Sequence, residues 1–393
     1  MKQPARVLFV SHQGNLRGGA DQSLLDLILG LDRARFAPVV LLPRIGQMAD
    51  ILSQHRIKTV IVSFRAWADQ HNNLFKIGYR TAFNAVSLVR LARRLRPIPV
   101  DVVYSNSLYT PIGALLARYF NLPHIWHVRE LMYEDFGKTY DFGVNWSMRF
   151  VDQSSAQVIT NSTIIDRKMA RYISEKKLNL IYNGFPGIDV TPPPVPRSGL
   201  LSNGEVVLCL VGRIAPHKGQ DDAVRALAQL RAAGVNARLR LAGTGHNEHV
   251  AAVKTLATDL GVAEHVIWEG FVENVQTIYA TTDITLMCSR SEAFGRVVVE
   301  AMAAGCPVIG TRAGGVPDII TDGENGLLYE PENHEALAAL VHQLAVDHEL
   351  YGKLSANGIA TAYSRFTLRQ YVEAVQAVIE KTLNNNVSAL DSA

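Results

Sequence analysis

Two carboxylates eight positions apart, Glu292 and Glu300, and two cations, Arg213 and Lys218, stand where the sequence passes from strand to helix. Residues 283–287 and 307–309 are short apolar runs of strand type. Between them, 296–304 reads as a helix closed by Gly305 at its C′ position. Glu292 falls in the turn before that helix and Glu300 inside it. The backbone N–H groups near Phe294 and Gly295 have no intrahelical acceptors, so this helix start is an anion site. A carboxylate there suits hydroxyl groups, and the helix start suits negative charge. A sugar joined to a diphosphate presents both. Gly212-Arg213-x4-Lys218-Gly219 follows the strand 206–211 and is not a P-loop, because G-x4-G-K-[ST] is absent. An Arg fork and a Lys point charge suit a pyrophosphate that gains charge as its bond to a sugar breaks. Cations beside a helix N-terminus are misplaced electrostatically unless an anion joins them.

These residues sit in a longer pattern. Glu292-x7-Glu300 encloses Phe294-Gly295 and is followed by Ala301-Met302, Gly305, Pro307-Val308, Gly314-Gly315 and Asp322-Gly-x-Asn-Gly-Leu-Leu328. This resembles the signature of the retaining family 4 glycosyltransferases. The resemblance implies an α/β protein of GT-B fold. It has two Rossmann-like domains facing across a central cleft, and a C-terminal helix crossing back to the N-terminal domain. It further implies that Arg213 and Lys218 bind the donor phosphates, with Gly18-Gly19 facing the same diphosphate. Glu292 then holds the donor sugar hydroxyls, Glu300 the ribose, and His127 the sugar from the opposite wall.

The elements that must position these groups alternate strand and helix. Residues 6–11 form a buried strand running into Gly14-Asn-Leu-Arg-Gly18-Gly19 and a helix over 20–31, the opening of a Rossmann-like unit. The spacing is not G-x-G-x-x-G, so no nicotinamide site is implied. Strands follow at 39–42, 58–63, 101–105, 123–128, 157–160 and 178–182, with helices at 48–55, 78–95 and 110–120. Ligands bind at the carboxyl ends of such strands. That rule nominates the Gly18 turn and Asn183 for the donor, His127 at a strand end, and Asn106, Arg129 and Glu130 on the acceptor side. Arg129 and Glu130 are also candidates to pair with each other. Pro192, Pro193, Pro194 and Pro196 then break the pattern. The expected division is an acceptor-side domain over 1–190, a linker over 191–204, a donor domain over 205–365, a crossover helix over 366–383 and a disordered tail over 384–393.

Composition bounds the rest. The 393 residues are 48% hydrophobic and 19% charged, with net charge +3, too little to imply nucleic acid. Three unclustered cysteines, the lack of a signal peptide and the lack of a long apolar stretch point to a cytoplasmic protein. His124/His127 and His246/His249 lack a third ligand at metal spacing, there is no D-x-D and no G-x-S-x-G, and neither a metal nor a cofactor is expected. Residues 76–96 hold six Lys or Arg and no acid. With Leu88, Leu91 and Leu95 on one face and Arg90, Arg93 and Arg94 on the other, this reads as a core-packed helix with a solvated basic face, or as one touching anionic lipid.

The expected function is transfer of a hexose-type sugar from a nucleoside diphosphate sugar, with retention, to a glycan or lipid-linked acceptor. The expected site is peripheral to the inner membrane face. A nucleotide-sugar epimerase of the same fold and a non-catalytic two-lobed sugar or nucleotide binding protein remain alternatives. Base contacts, expected near 270–275, are largely backbone, so the base stays open, as do the sugar and acceptor.

Overall fold

A computed structural model describes residues 3–16, 18–190, 193–200 and 204–391. The chain forms two compact units, residues 1–184 with 368–393, and residues 185–367. The second unit starts at Phe185, whose N–H donates to Phe366 O at 3.1 Å and whose ring stacks on Phe294. Within the expected linker, 191–192 and 201–203 lie outside the described residues.

The first unit is built on a parallel sheet of seven strands. They are β1 (Ala5–Ser11), β2 (Phe36–Leu42), β3 (Lys58–Ile61), β5 (Val102–Asn106), β6 (His124–Val128), β8 (Gln157–Thr160) and β9 (Leu178–Leu180), in the order β3-β2-β1-β5-β6-β8-β9. β4 (Ala68–Asp69) and β7 (Thr139–Tyr140) make a separate antiparallel pair that the sequence pattern does not reveal. The near-continuous apolar strands are those of a sheet covered on both faces. In β1, Val7 and Phe9 join one core with Leu24, Leu27 and Ile28 of α1 (Gly19–Gly30), while Leu8 and Val10 join the other with Ile112 and Leu116. That split is the period-2 alternation of a strand.

α2 (Gln47–Gln54) follows β2, and α3 (Leu74–Leu95) follows β4. α3 begins four residues before the expected start, because the Asn73 side chain accepts from Lys76 N at 2.8 Å and caps it. The last helix, Leu368–Asp391, belongs to the first unit, with Val375 and Ile379 in its core. It contacts α1 closely at Gly30, where a Cβ would stand 2.8 Å from Val372. The expected disordered tail is helical through Asp391, since no Gly or Pro interrupts the chain after Leu368, and 392–393 lie outside the described residues.

The second unit carries a six-stranded parallel sheet of β10 (Val206–Val211), β11 (Ala237–Ala242), β12 (Val266–Gly270), β13 (Ile284–Met287), β14 (Val308–Thr311) and β15 (Leu327–Tyr329), ordered β12-β11-β10-β13-β14-β15. Its core includes Leu208, Leu239, Ile284 and Leu286. Cys209, Cys288 and Cys306 are buried free thiols, and burial pushes the last two up to about 12.

Candidate functional site

In the second unit the chain's path reverses at β10, with β11 on one side and β13 on the other. Ligands of open α/β sheets bind outside the carboxyl ends of the strands at such a reversal. The turn after β10 carries Arg213 and Lys218, and the loop after β13 carries Glu292. Lys218 Nζ donates to Glu292 Oε2 at 2.6 Å, and both side chains are largely shielded.

Glycines shape both loops. At Gly219, in the left-handed region at φ 68°, a Cβ would stand 2.1 Å from Cys288 O, so the Lys218 turn lies directly on the end of β13. At Gly314, with φ 60°, a Cβ would stand 2.0 Å from Glu292 O, while Gly315 N donates to that same oxygen at 2.8 Å. The Gly314-Gly315 pair thus backs the Glu292 peptide.

Arg290 joins the two loops. Its guanidinium donates to Pro216 O, to Asp221 Oδ2 at 2.8 Å and to Glu332 Oε1 at 2.6 Å, and its N–H donates to His217 O at 2.8 Å. The hydrogen bond to Asp221 heads the interactions that raise its pKa above that of an ordinary arginine. Nothing in its immediate sequence marks Arg290 as a clamp. Burial, then the Lys218 charge, lowers His217 to about 4, so it is neutral beside Lys218 at neutral pH.

Gly295, at φ 101°, is the N-cap of the helix Arg296–Ala303, and the Val298 N–H donates to Gly295 O at 3.0 Å. Phe294 is buried against Phe185 and Phe366 and orients that turn from below. Glu300 lies 3.4 Å from Arg296 Nε one turn earlier. Arg213 is exposed, and its main chain is fixed by Gln220 Nε2 donating to its carbonyl at 2.9 Å.

The first unit places its nominated residues around a buried guanidinium. Arg129 is 4% exposed. Its Nε donates to Asn106 Oδ1 at 2.6 Å, Nη1 to Asn183 Oδ1, and Nη2 to the Tyr371 hydroxyl, with His127 Nδ1 at 3.1 Å. The side-chain pairing of Arg129 with Glu130 is not formed. Glu130 Oε1 instead accepts from Ser107 Oγ at 2.5 Å and from Leu108 N at 2.6 Å, because the chain turns sharply after β5 and leaves those donors needing an acceptor. His127 is fully buried, its Nδ1 meets the Tyr104 hydroxyl, and its Nε2 has no hydrogen-bond partner among the described residues. Burial, then the Arg129 charge, holds its pKa well below the usual imidazole range. At Gly18 a Cβ would meet nothing nearer than Asp21 Oδ2 at 4.0 Å, so packing within the protein does not demand glycine there. Tyr104 and Tyr371 were not nominated; one lies within an apolar strand and the other is 242 positions from Arg129.

Among the described residues no cluster of three His, Cys, Asp or Glu is placed to hold a metal ion. The expected basic segment is corrected in one respect. Arg80 is buried and paired with Asp141 and, at 2.9 Å, with Asp69, so it adds no charge to the outer face of α3.

Comparison with known proteins gives these loops a family. The model for "Glycosyltransferase Family 4" matches residues 17–186, and that for "Glycosyl transferases group 1" matches 195–361. The chain is 30% identical to N-acetyl-alpha-D-glucosaminyl L-malate synthase of Bacillus anthracis, over 47% of this chain and 48% of that protein. It is 29% identical to the GDP-mannose-dependent alpha-(1-6)-phosphatidylinositol monomannoside mannosyltransferase of Mycolicibacterium smegmatis, over 56% of this chain and 63% of that one. The matches thus span about half to two thirds of these curated relatives. Anabaena HepE, solved in complex with UDP, shares the fold at a TM-score of 0.78 and 22% identity, over 96% of this chain and 100% of that chain. With two consecutive family models covering both units, and a shared fold over nearly its whole length, the chain belongs to the family 4 glycosyltransferases of GT-B type.

Proposed function

We propose that this protein transfers a hexose-type sugar from a nucleoside diphosphate sugar to a hydroxyl of a glycan or lipid-linked acceptor, with retention of configuration and without a metal ion. The observation that carries the reading is the Lys218–Glu292 contact at the β10/β13 strand ends, beside the helix start at Gly295. A sugar diphosphate needs a cation for its phosphates and a carboxylate for its hydroxyls within one molecule's reach. In this reading Arg213, Lys218 and the helix start stabilise the leaving diphosphate. Glu292 holds the sugar hydroxyls and Glu300 the ribose, and Gly18-Gly19 admits the phosphates. The acceptor hydroxyl approaches the face that the diphosphate leaves and passes its proton to a phosphate oxygen. His127, neutral, serves as a hydrogen-bonding contact for the sugar, and Asn106, Asn183, Arg129 and Glu130 hold the strand ends around it. HepE has been solved with UDP and with UDP-glucose, and the mycobacterial relative uses GDP-mannose, which supports a nucleotide sugar and leaves the base open.

The acceptor side of the reading includes an anionic membrane. α3 exposes Leu74, Phe75, Tyr79, Val86 and Val89 together with Lys76, Arg90 and Arg93. Phe75 is 85% exposed. Apolar and cationic side chains on one outer face suit a helix lying in a lipid interface. Among the described residues no helix is long and apolar enough to cross a membrane. The site of action proposed is the cytoplasmic face of the membrane.

Release of nucleoside diphosphate, measured with and without acceptor, tests the transfer. Release that depends on a glycan acceptor supports it. Epimerised sugar formed without acceptor, or tight binding with no turnover at all, would replace it with one of the other two readings.

A further inference from the structure

Four strand ends of the first unit surround a cavity of about 470 Å³ that none of the nominated site residues lines. β1 leads to His12, β2 to Arg44, β3 to Arg65, and β5 to Tyr109 and Thr110. In the sheet these strands are adjacent, and the path reverses at β1, with β2 and β3 on one side and β5 on the other. The size is that of a small-molecule pocket, and the place is where such sheets take ligands.

Three guanidinium groups, those of Arg44, Arg65 and Arg80, and one carboxylate, that of Asp69, line it. Neither Arg44 nor Arg65 has an ion-pair partner among the described residues. The carboxylate on the rim, Asp69, is committed to Arg80 at 2.9 Å and lies 3.7 Å from Lys76. Arg65 is held in place. Its guanidinium lies over the Phe83 ring at 4.8 Å, and its backbone N and O are tied to the Asn84 amide at 2.8 and 3.1 Å. The Arg44 peptide is clamped as well, because a Cβ at Gly14 would stand 2.4 Å from Arg44 O.

The opposite wall is built with strain. Ser107 adopts φ 108°, rare for a residue with a side chain. It is kept there by Glu130 on its hydroxyl and by its own N–H donating to His127 O at 2.8 Å. Two residues on, Tyr109 N donates to Ser107 Oγ at 3.0 Å, and the Tyr109 hydroxyl accepts from Lys138 Nζ at 2.8 Å. The Tyr109 ring then lies 5.4 Å from that of His12. Backbone strain that its surroundings over-determine collects at ligand clamps.

We propose that this cavity binds an anionic group, phosphate or carboxylate, carried by the sugar acceptor, with Arg65 and Arg44 as its charge partners and Tyr109 as the wall against which the acceptor packs. A stacked, pre-oriented Arg fork suits a planar or tetrahedral oxyanion. The word acceptor rests on the glycosyl-transfer reading. The anion site rests on the first unit alone, and Glu130 acts on it as a positioning residue through Ser107.

The test is direct binding to the full-length protein by calorimetry, with no donor present. The probes are glucose 6-phosphate, glucuronate and dihexanoyl phosphatidylglycerol below its micelle concentration, with glucose as the neutral control. The anions bind more tightly than glucose, and Arg65→Gln and Arg44→Gln each weaken them by about tenfold, the scale of one charge-assisted hydrogen bond. Arg65→Lys keeps the charge but loses the fork and the stack, and falls between. The sugar anions binding better would point to a soluble acceptor, and the lipid binding better to a lipid-linked one. Binding of UDP to the same variants is unchanged, which separates this site from the donor assignment. The proposal is overturned if no anion binds better than glucose, or if the variants bind the anions as the wild type does while keeping its melting temperature.

Discussion

Lys218 and Glu292, 74 positions apart in sequence, share a 2.6 Å hydrogen bond at the mouth of the second unit's sheet. The cation proposed for the diphosphate and the carboxylate proposed for the sugar therefore fix each other's position. Glu292→Gln keeps an acceptor for Lys218 but removes the charge. Turnover is expected to fall by something on the order of 10²-fold, while affinity for free UDP or GDP stays within a few-fold. Steady-state rates with nucleotide titration check this, and a folded Glu292→Gln protein with normal turnover would reject the carboxylate's role.

Arg213→Ala and Lys218→Ala are each expected to slow transfer by roughly 10²-fold, the scale for one preorganised charge contact at a leaving group. Lys218→Ala also strands Glu292, so its loss is expected to be accompanied by a lower melting temperature, whereas exposed Arg213 can be removed without one. EDTA is expected to leave the wild-type rate unchanged. Strong inhibition by EDTA that Mg²⁺ or Mn²⁺ reverses would show that a metal takes the charge instead.

Sedimentation with anionic liposomes reads out the outer face of α3. The wild type is expected to pellet at low salt and to release as ionic strength rises. Arg90→Gln, Arg93→Gln and Arg94→Gln combined should weaken salt-sensitive binding, and Phe75→Ser with Tyr79→Ser should weaken what salt leaves. If the wild type remains in the supernatant, the face serves some other contact. One cation is already partly engaged, since Arg94 Nη1 donates to Ile61 O at 2.8 Å.

Three histidines of the first unit set an acid limit. Burial is the largest cause lowering each, His12 to about 4, His124 to about 3 and His127 well below 6.5. The unfolded chain takes up protons on these residues as pH falls through 6.5 and the folded one does not, so the unfolded state is favoured. Stability is therefore greatest above that pH and declines below it until the folded-state values are reached, by up to about 1.4 kcal/mol per pH unit for each histidine. Denaturant midpoints between pH 7.5 and 4.5 measure the slope. His124→Gln, opposite Ser105 Oγ at 2.8 Å, should make it shallower.

The Arg213–Lys218 turn and the Glu292 loop are legible because their chemistry is local. A Gly-rich turn, two cations and a carboxylate before a helix are features of consecutive residues, and the alternation of apolar runs with helical segments announces the two sheets. The cavity of the first unit was not legible, because Arg44, Arg65 and Tyr109 follow three different strands. Only the order β3-β2-β1-β5 brings them together. The Arg129 hub is hidden for a related reason: its adjacent carboxylate, Glu130, is one candidate partner, yet the turn after β5 takes that carboxylate and leaves Arg129 to two amides and a tyrosine from the far end of the chain. The early start of α3 follows from one capping Asn, which the apolar periodicity did not reveal.

That tyrosine has a consequence for how the protein is made. Tyr371, Val375 and Ile379 complete the core of a unit whose other residues precede Phe185, so the N-terminal half leaves the ribosome well before the helix that closes it. The second unit is contiguous from 185 to 367, so all of its sequence is joined before that of the helix. Synthesis from the N-terminus therefore reverses the order of maturation, and the half made first is finished last. Limited proteolysis of ribosome-bound chains stalled with residue 367 outside the exit tunnel would show it, with the second unit protected and the first still cleaved. Equal protection of both would mean that the first unit closes its core without its final helix.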